Sequence, residues 1–182
     1  MKKVISISVA LVILLSTVFL FSGCNWGGLQ VTSKLTIDEN FSGSRTVTFA
    51  VPESVYSENL DGNIKEAAPV TEDGTVTLGY SDLEEGGTEY TFSIYFSSQS
   101  DYVSRMESLL GRDVSVNLAQ PDNIMAKGVR YTENFNTTEL LAWLEPVLEE
   151  DDKAFGMSLE CKGAVAEIEG LEYETKPTID VN

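Results

Sequence analysis

The sequence predicts an α+β fold, a mostly antiparallel sheet with two amphipathic helices packed on one face. Three observations predict it. Several segments alternate apolar and polar residues, as strands buried on one side do. Clusters of turn residues separate neighbouring segments, which is typical of hairpins. Two later segments instead place their apolar residues at helical spacing.

The first two strands are predicted on either side of a turn. Residues 29–37 and 45–51 alternate, and the six residues from Asp38 to Gly43 are rich in turn formers. These six also carry side-chain oxygens at positions one, three and five and glycine at six, as an EF-hand calcium loop does. Phe49, however, stands where that loop needs a bidentate glutamate. A hairpin turn is therefore favoured over a calcium loop.

A short helix and a second hairpin are predicted next. Pro52, followed by an acid, predicts a helix start and a helix to about Leu60. Asp73-Gly74 is a hairpin signal between residues 64–70 and 75–79.

The segment Tyr90–Phe96 is the strongest predicted strand, because it is dense in aromatic and β-branched residues. Its alternation leaves Tyr95 on the opposite side from four apolar residues. We interpret those four as core, with an apolar groove for lipid or glycan as the alternative. They are Tyr90, Phe92, Ile94 and Phe96.

Two amphipathic helices are predicted. Residues 100–110 carry one apolar stripe and end at Gly111, a C-cap residue. Asn136 and Glu139 have capping-box spacing, and Pro146 should kink or end the stripe that follows. That stripe is Leu140, Leu141, Leu144, Val147 and Leu148. The acids at residues 149–152 are interpreted as a solvated helix end, with a weak divalent-ion site as the alternative.

Five further strands complete the pattern, at residues 113–118, 128–135, 154–161, 164–168 and 171–175. Alternation places Cys161 on one face with Met157 and Leu159, which predicts a buried, inert thiol. A reactive or intermolecular cysteine is the alternative.

The first 23 residues predict export. Lys2 and Lys3 precede an apolar run, Val4–Phe21, as in a secretory signal. An uncleaved membrane anchor is the alternative. The small residues at 22 and 23 before Cys24 resemble the bacterial lipobox, although Phe21 departs from its usual aliphatic residue. This resemblance implies that Cys24 is lipidated and attaches the protein to the membrane.

The expected organisation is a signal peptide over 1–23, a lipidated tether over 24–28 and a single α+β envelope domain over 29–182. Loss of Lys2 and Lys3 takes the net charge from −17 to −19. Such acidity argues against nucleic acid, which requires clustered Lys and Arg. It also means that the acyl anchor must supply the affinity for the membrane.

The composition excludes much catalytic chemistry. The chain has no histidine, so it lacks the commonest general base and transition-metal ligand. Glu85-Gly86-Gly87 is predicted as a turn and not a phosphate loop. Acid pairs suitable for glycoside hydrolysis can be chosen almost anywhere among 29 acids, so they indicate nothing without geometry. We expect no enzyme, no catalytic residue, no cofactor and no metal.

The segment Leu35–Pro52, with its hairpin turn ending in Ser42-Gly43, resembles the opening of LppM-like bacterial lipoproteins. The strand Tyr90–Phe96 followed by the 100–110 helix is similar to cell-envelope proteins. The resemblance covers about half of the exported part and carries no catalytic residues. It implies an α+β envelope domain that handles an apolar ligand.

The sequence therefore predicts a non-catalytic, membrane-anchored envelope lipoprotein that serves as a binding or structural interaction module. Its expected partners are the membrane, through the anchor on Cys24, and a protein, a cell-wall component or an apolar ligand. The alternative is a carrier or sensor that holds a lipid in a cavity between sheet and helices.

Overall fold

A six-stranded sheet forms the frame of the domain, in the order β3-β4-β2-β1-β7-β8. The computed structural model describes residues 28–38, 40–119, 130–168 and 171–175, and only the backbone for 119, 130, 161–168 and 171–175. In chain order the elements are β1 (Gly28–Ile37), β2 (Gly43–Pro52), α1 (Glu58–Ala67), β3 (Val76–Asp82), β4 (Gly87–Phe96), α2 (Gln99–Leu110), β5 (Val116–Ala119), β6 (Arg130–Glu133), a 3-10 helix (Glu139–Leu141), α3 (Leu144–Glu150), β7 (Ser158–Ile168) and β8 (Leu171–Thr175).

Most neighbouring strands are antiparallel, and the predicted α+β class is confirmed. The exception is β1 with β7, which run parallel from Gly28 opposite Ser158. Strands β5 and β6 pair as a separate hairpin. We call the end of the sheet at which β1 and β7 begin the Gly28 end. The opposite end, at which β4 finishes, is called the Phe96 end.

The core lies between the sheet and the helices. Alternation puts every second strand residue inward, so the period-two pattern of the sequence becomes one apolar face. The sheet contributes Leu29, Val31, Leu35, Ile37, Val47, Phe49, Val51, Val76, Tyr90, Phe92, Ile94 and Phe96. The helical segments contribute Leu60, Ile64, Tyr102, Met106, Leu140, Leu141, Leu144, Val147 and Leu148. The predicted core face of β4 is thus confirmed, and Tyr95 is exposed on the other side.

The predicted first turn is also confirmed. The Oδ1 atom of Asp38 accepts hydrogen bonds from the backbone N–H groups of Asn40 and Ser42, both at 2.8 Å. Phe41 has a left-handed φ of 60° but is buried against Phe96. The turn therefore places an aromatic side chain in the core.

The prediction of a helix from Pro52 is wrong. Pro52 closes β2, and its carbonyl accepts hydrogen bonds from two following backbone N–H groups in a turn. Helix α1 begins instead after Ser57, whose hydroxyl accepts from the Leu60 N–H at 3.0 Å. The helix then continues through residues 64–67, which were predicted as strand. Leu60 and Ile64 are both fully buried, so their spacing is the helical i, i+4 period.

The last helical region breaks earlier than predicted. Asn136 and Glu139 form the predicted reciprocal capping box, at 3.0 and 2.9 Å. The stripe then divides into a 3-10 turn and α3, with Pro146 in the first turn of α3. A proline is tolerated there because the N–H groups of a first turn have no partner within the helix.

The acids after α3 are not all solvated, which corrects the prediction. Asp151 is buried, and its Oδ1 accepts from the backbone N–H groups of Lys153 and Ala154 at 2.9 and 3.1 Å. Ala154 is fully buried inside this turn, so the strand predicted from residue 154 starts only at Ser158.

Candidate functional site

The outward side of the sheet is the broadest candidate surface. The helices and the β5–β6 hairpin pack on the inward side, as the contacts of Trp143 with Phe49 and of Glu133 with Arg45 show. We call the outward side of β1–β4 the open face. Strand pairing aligns its hydroxyl side chains in rows, such as Thr32, Thr48 and Thr91. Its Ser and Thr residues are Thr32, Thr36, Ser44, Thr46, Thr48, Thr77, Ser81, Thr91 and Ser93, of which Ser93 is buried.

The open face is nearly neutral, although the chain has 29 acids and 12 bases. Among the outward positions of these four strands, the ionisable side chains with full charges are those of Lys34 and Glu89. Hydroxyl groups both donate and accept hydrogen bonds. This surface therefore suits a neutral, polar partner, whereas the acids elsewhere repel polyanions.

A cleft of about 470 Å³ opens at the Gly28 end, where the open face meets two loops. Its lining is mainly apolar, and Lys153 is the charged residue in it. The Gln30 Nε2 atom donates to Glu160 at 2.9 Å, whereas its Oε1 atom is buried and has no hydrogen-bond partner among the described residues. The lining residues are Gly28, Gln30, Ala50, Pro52, Ser54, Val55, Lys153 and Met157. The cleft can thus accept an apolar group.

A buried polar cluster lies inside the core, and the sequence analysis missed it. Arg45 is 2% exposed, and its Nη2 atom lies 3.1 Å from Glu133 Oε1 and 3.3 Å from Thr137 Oγ1. The hydroxyl groups of Tyr131 and Tyr102 donate to Glu133 Oε2 at 2.5 and 3.5 Å. A signal existed, since Arg45 interrupts the apolar alternation of β2 on its inward face.

The pKa values of Arg45 and of the two tyrosines are shifted in this cluster. Burial lowers the pKa of Arg45, but the Glu133 carboxylate together with the Tyr102 and Tyr131 hydroxyls more than offsets this, and the net pKa is raised. Burial raises the pKa of Tyr131 and, less strongly, that of Tyr102, so both hydroxyls remain protonated donors. Within the part of the chain that the structure describes, Arg45 Nε has no hydrogen-bond partner. These contacts fasten the β5–β6 hairpin to the sheet.

Neither cysteine side chain is among those that the structure describes. Cys24 lies outside the described residues, as does the side chain of Cys161, whose backbone pairs with Val31. Within the described ranges, no group of three Cys, Asp or Glu side chains is arranged to hold a metal ion. None of the helices there is long and apolar enough to cross a bilayer.

Comparison of the chain with protein-family models, curated proteins and solved structures finds no match. What the structure itself defines is an α+β domain whose sheet packs its helices on one side.

Proposed function

We propose that this protein is a non-catalytic, membrane-anchored envelope lipoprotein, and that it works as an interaction module through its open face. The observation that carries the proposal is the nearly neutral, hydroxyl-rich open face on a strongly acidic chain. The apolar side chains of the sheet and the helices pack into one buried cluster on the other side, which leaves the open face available to a partner.

The partner is a protein or a cell-wall polymer that approaches the open face. Like charges directly opposed across an interface are unfavourable, so a strongly acidic molecule binds best where its own charge is low. Hydroxyl rows offer donors and acceptors to a polar partner without the desolvation cost of charged groups.

Photo-crosslinking in the bacterial host tests this proposal. Tyr95 on the open face is replaced by p-benzoylphenylalanine, and Tyr80, an exposed tyrosine at an inward position of β3, provides the matched control. We expect a discrete adduct from position 95 and none from position 80, and mass spectrometry identifies the partner. Equal adducts from both positions, or none from position 95, contradict the proposal.

The membrane anchor is tested separately. The proposed attachment predicts that the exported chain begins at Cys24 and carries acyl chains, and that Cys24→Ala releases the protein from the membrane fraction. Two acyl chains provide durable membrane binding where one does not. A mass that still includes residues 1–23 without acyl groups would instead support the uncleaved anchor.

The cleft at the Gly28 end favours the second candidate function, a carrier of an apolar ligand. Its volume of about 470 Å³ lies in the size range of ligand pockets. Native mass spectrometry of the exported domain tests it. A co-purified lipid that is lost on denaturation, and also lost when Ala50 in the cleft is changed to Leu, would promote the carrier. A clean mass after incubation with envelope lipids would exclude it.

A further inference from the structure

Phe155 is the most exposed large apolar side chain among the described residues, at 74%. It is held in place by a built turn. The N–H groups of Ala154 and Phe155 donate to the Asp151 carbonyl at 3.2 and 2.8 Å, and Met157 N–H donates to the Ala154 carbonyl at 3.0 Å. Asp151 and Ala154, which anchor the turn, are buried. The turn therefore presents the ring of Phe155 to solvent from a fixed base.

This turn is at the Gly28 end. Phe155 is three residues before Ser158, and Ser158 pairs with Gly28. Cys24 is four residues before Gly28, so its Cα atom lies within about 14 Å of the Gly28 Cα atom even in a fully extended chain. An acyl group on Cys24 thus brings the Gly28 end, and Phe155 with it, to the surface of the bilayer.

We propose that Phe155 inserts into the interfacial region of the membrane that holds the anchor and so fixes the orientation of the domain. This inference rests on the proposed lipidation of Cys24. Glu53, Glu84 and Glu85 are exposed at the same end and repel anionic headgroups. The contact of this end with the membrane is therefore made by the apolar ring of Phe155 and not by charged groups. One aromatic side chain cannot bind a membrane alone, and it acts here because the anchor supplies a high effective concentration. The open face then points along the membrane surface and not into it.

Hydroxyl-radical footprinting of the acylated protein on phosphatidylcholine vesicles tests the inference with natural residues. Tyr95 is the internal control, because it lies eight residues along β4 from Gly87, about 26 Å toward the Phe96 end. The reference is the same exported chain with Cys24→Ser, free of vesicles. We expect modification of Phe155 to fall several-fold on vesicles while that of Tyr95 stays unchanged.

The outcomes distinguish a failure of the Phe155 contact from a failure of the proposed anchor on Cys24. An acylated, vesicle-bound protein whose Phe155 is modified as fast as in the reference overturns the inference alone. A chain that carries no acyl group overturns the proposed anchor, and the inference with it. Protection of Phe155 in concentrated Cys24→Ser protein without vesicles would assign the contact to a second copy of the chain, and would also overturn the inference. Phe155→Trp, compared with Tyr95→Trp for quenching by brominated lipid, checks the result by an independent signal when Trp26 and Trp143 have been changed to Phe in both proteins.

Discussion

Arg45 shows how a single residue can decide whether a distant hairpin is attached to the sheet. It occupies an inward position of β2 on the same face as Val47 and Phe49, where a charge is costly unless it is paired. Glu133 of β6 provides the pairing. Alternation alone predicts the inward position of Arg45, but it does not reveal the partner, because Glu133 is 88 residues away and reaches Arg45 only in the folded chain.

Removing one member of this pair should be strongly destabilising. We expect Glu133→Gln to lower the free energy of unfolding by about 3 kcal/mol, since it leaves a buried, uncompensated guanidinium. The double variant Arg45→Met, Glu133→Leu should recover much of the loss. Urea unfolding followed by circular dichroism measures both. Arg112→Met, at the exposed pair with Glu139, is the control and should cost about 1 kcal/mol or less. A loss as small from Glu133→Gln would contradict the assigned role.

Three buried tyrosines should make the free energy of unfolding fall at alkaline pH. Burial raises the pKa values of Tyr90, Tyr102 and Tyr131 above that of tyrosine in an unfolded chain, which is about 10. Above that pH the unfolded chain loses protons that the native state keeps. These three groups therefore leave stability unchanged well below pH 10. As the pH rises through and beyond 10, they lower the stability by up to about 1.4 kcal/mol per unit for each tyrosine.

Urea unfolding across this alkaline range measures the dependence on pH. Tyr131→Phe should make the decline shallower by about a third, because one of the three linked groups is removed. A stability that does not change between about pH 9 and pH 11 would show that the three hydroxyls are not linked to folding.

At the scale of elements, local signals succeeded where a cap or a strict alternation was present. Gly111 ends α2 with φ 65°, and its N–H donates to the Glu107 carbonyl, as a C-cap does. The capping box at Asn136 was also predictable. Helix α1 was not, because the spacing of four from Leu60 to Ile64 fits two patterns. It can be one helical period, or the end of one element followed by the start of the next. Tertiary burial of both side chains decided the outcome.

Replacing glycine by alanine should have opposite effects on stability at two positions of the helices, Gly62 and Gly111. A Cβ atom at Gly62, inside α1, would meet no atom within 4 Å, whereas Gly111 requires a left-handed conformation. We expect Gly62→Ala to stabilise the domain by about 0.5–1 kcal/mol and Gly111→Ala to destabilise it by about 1 kcal/mol. Thermal unfolding of the two variants beside the wild type measures the signs. Destabilisation by Gly62→Ala would mean that this position is not an ordinary exposed helix interior.

For the whole molecule, the α+β class was predictable, but the pairing of the first strand with a strand near the other end of the chain was not. Local alternation with a turn between the strands specifies the hairpins of β1 with β2 and of β3 with β4. The parallel pairing of β1 with β7 joins segments separated by more than 100 residues, and no local periodicity specifies it. That pairing brings the Phe155 turn and the cleft to the Gly28 end. The candidate surfaces therefore became visible only with the topology.

The net charge of the exported domain affects its stability. With 29 acids and, after loss of Lys2 and Lys3, 12 − 2 = 10 bases, the folded domain repels itself more than the expanded unfolded chain does. Salt shortens the reach of this repulsion, from about 10 Å at 0.1 M to about 3 Å at 1 M. We expect the melting temperature to rise by several degrees over this range of NaCl, measured by differential scanning calorimetry.

CaCl2 at matched ionic strength should act similarly, because the described residues contain no cluster of acids arranged around an ion. A saturable rise at low CaCl2 would instead reveal a specific cation site. A fall in the melting temperature with NaCl would show that ion pairs such as that of Arg112 with Glu139 outweigh the self-repulsion.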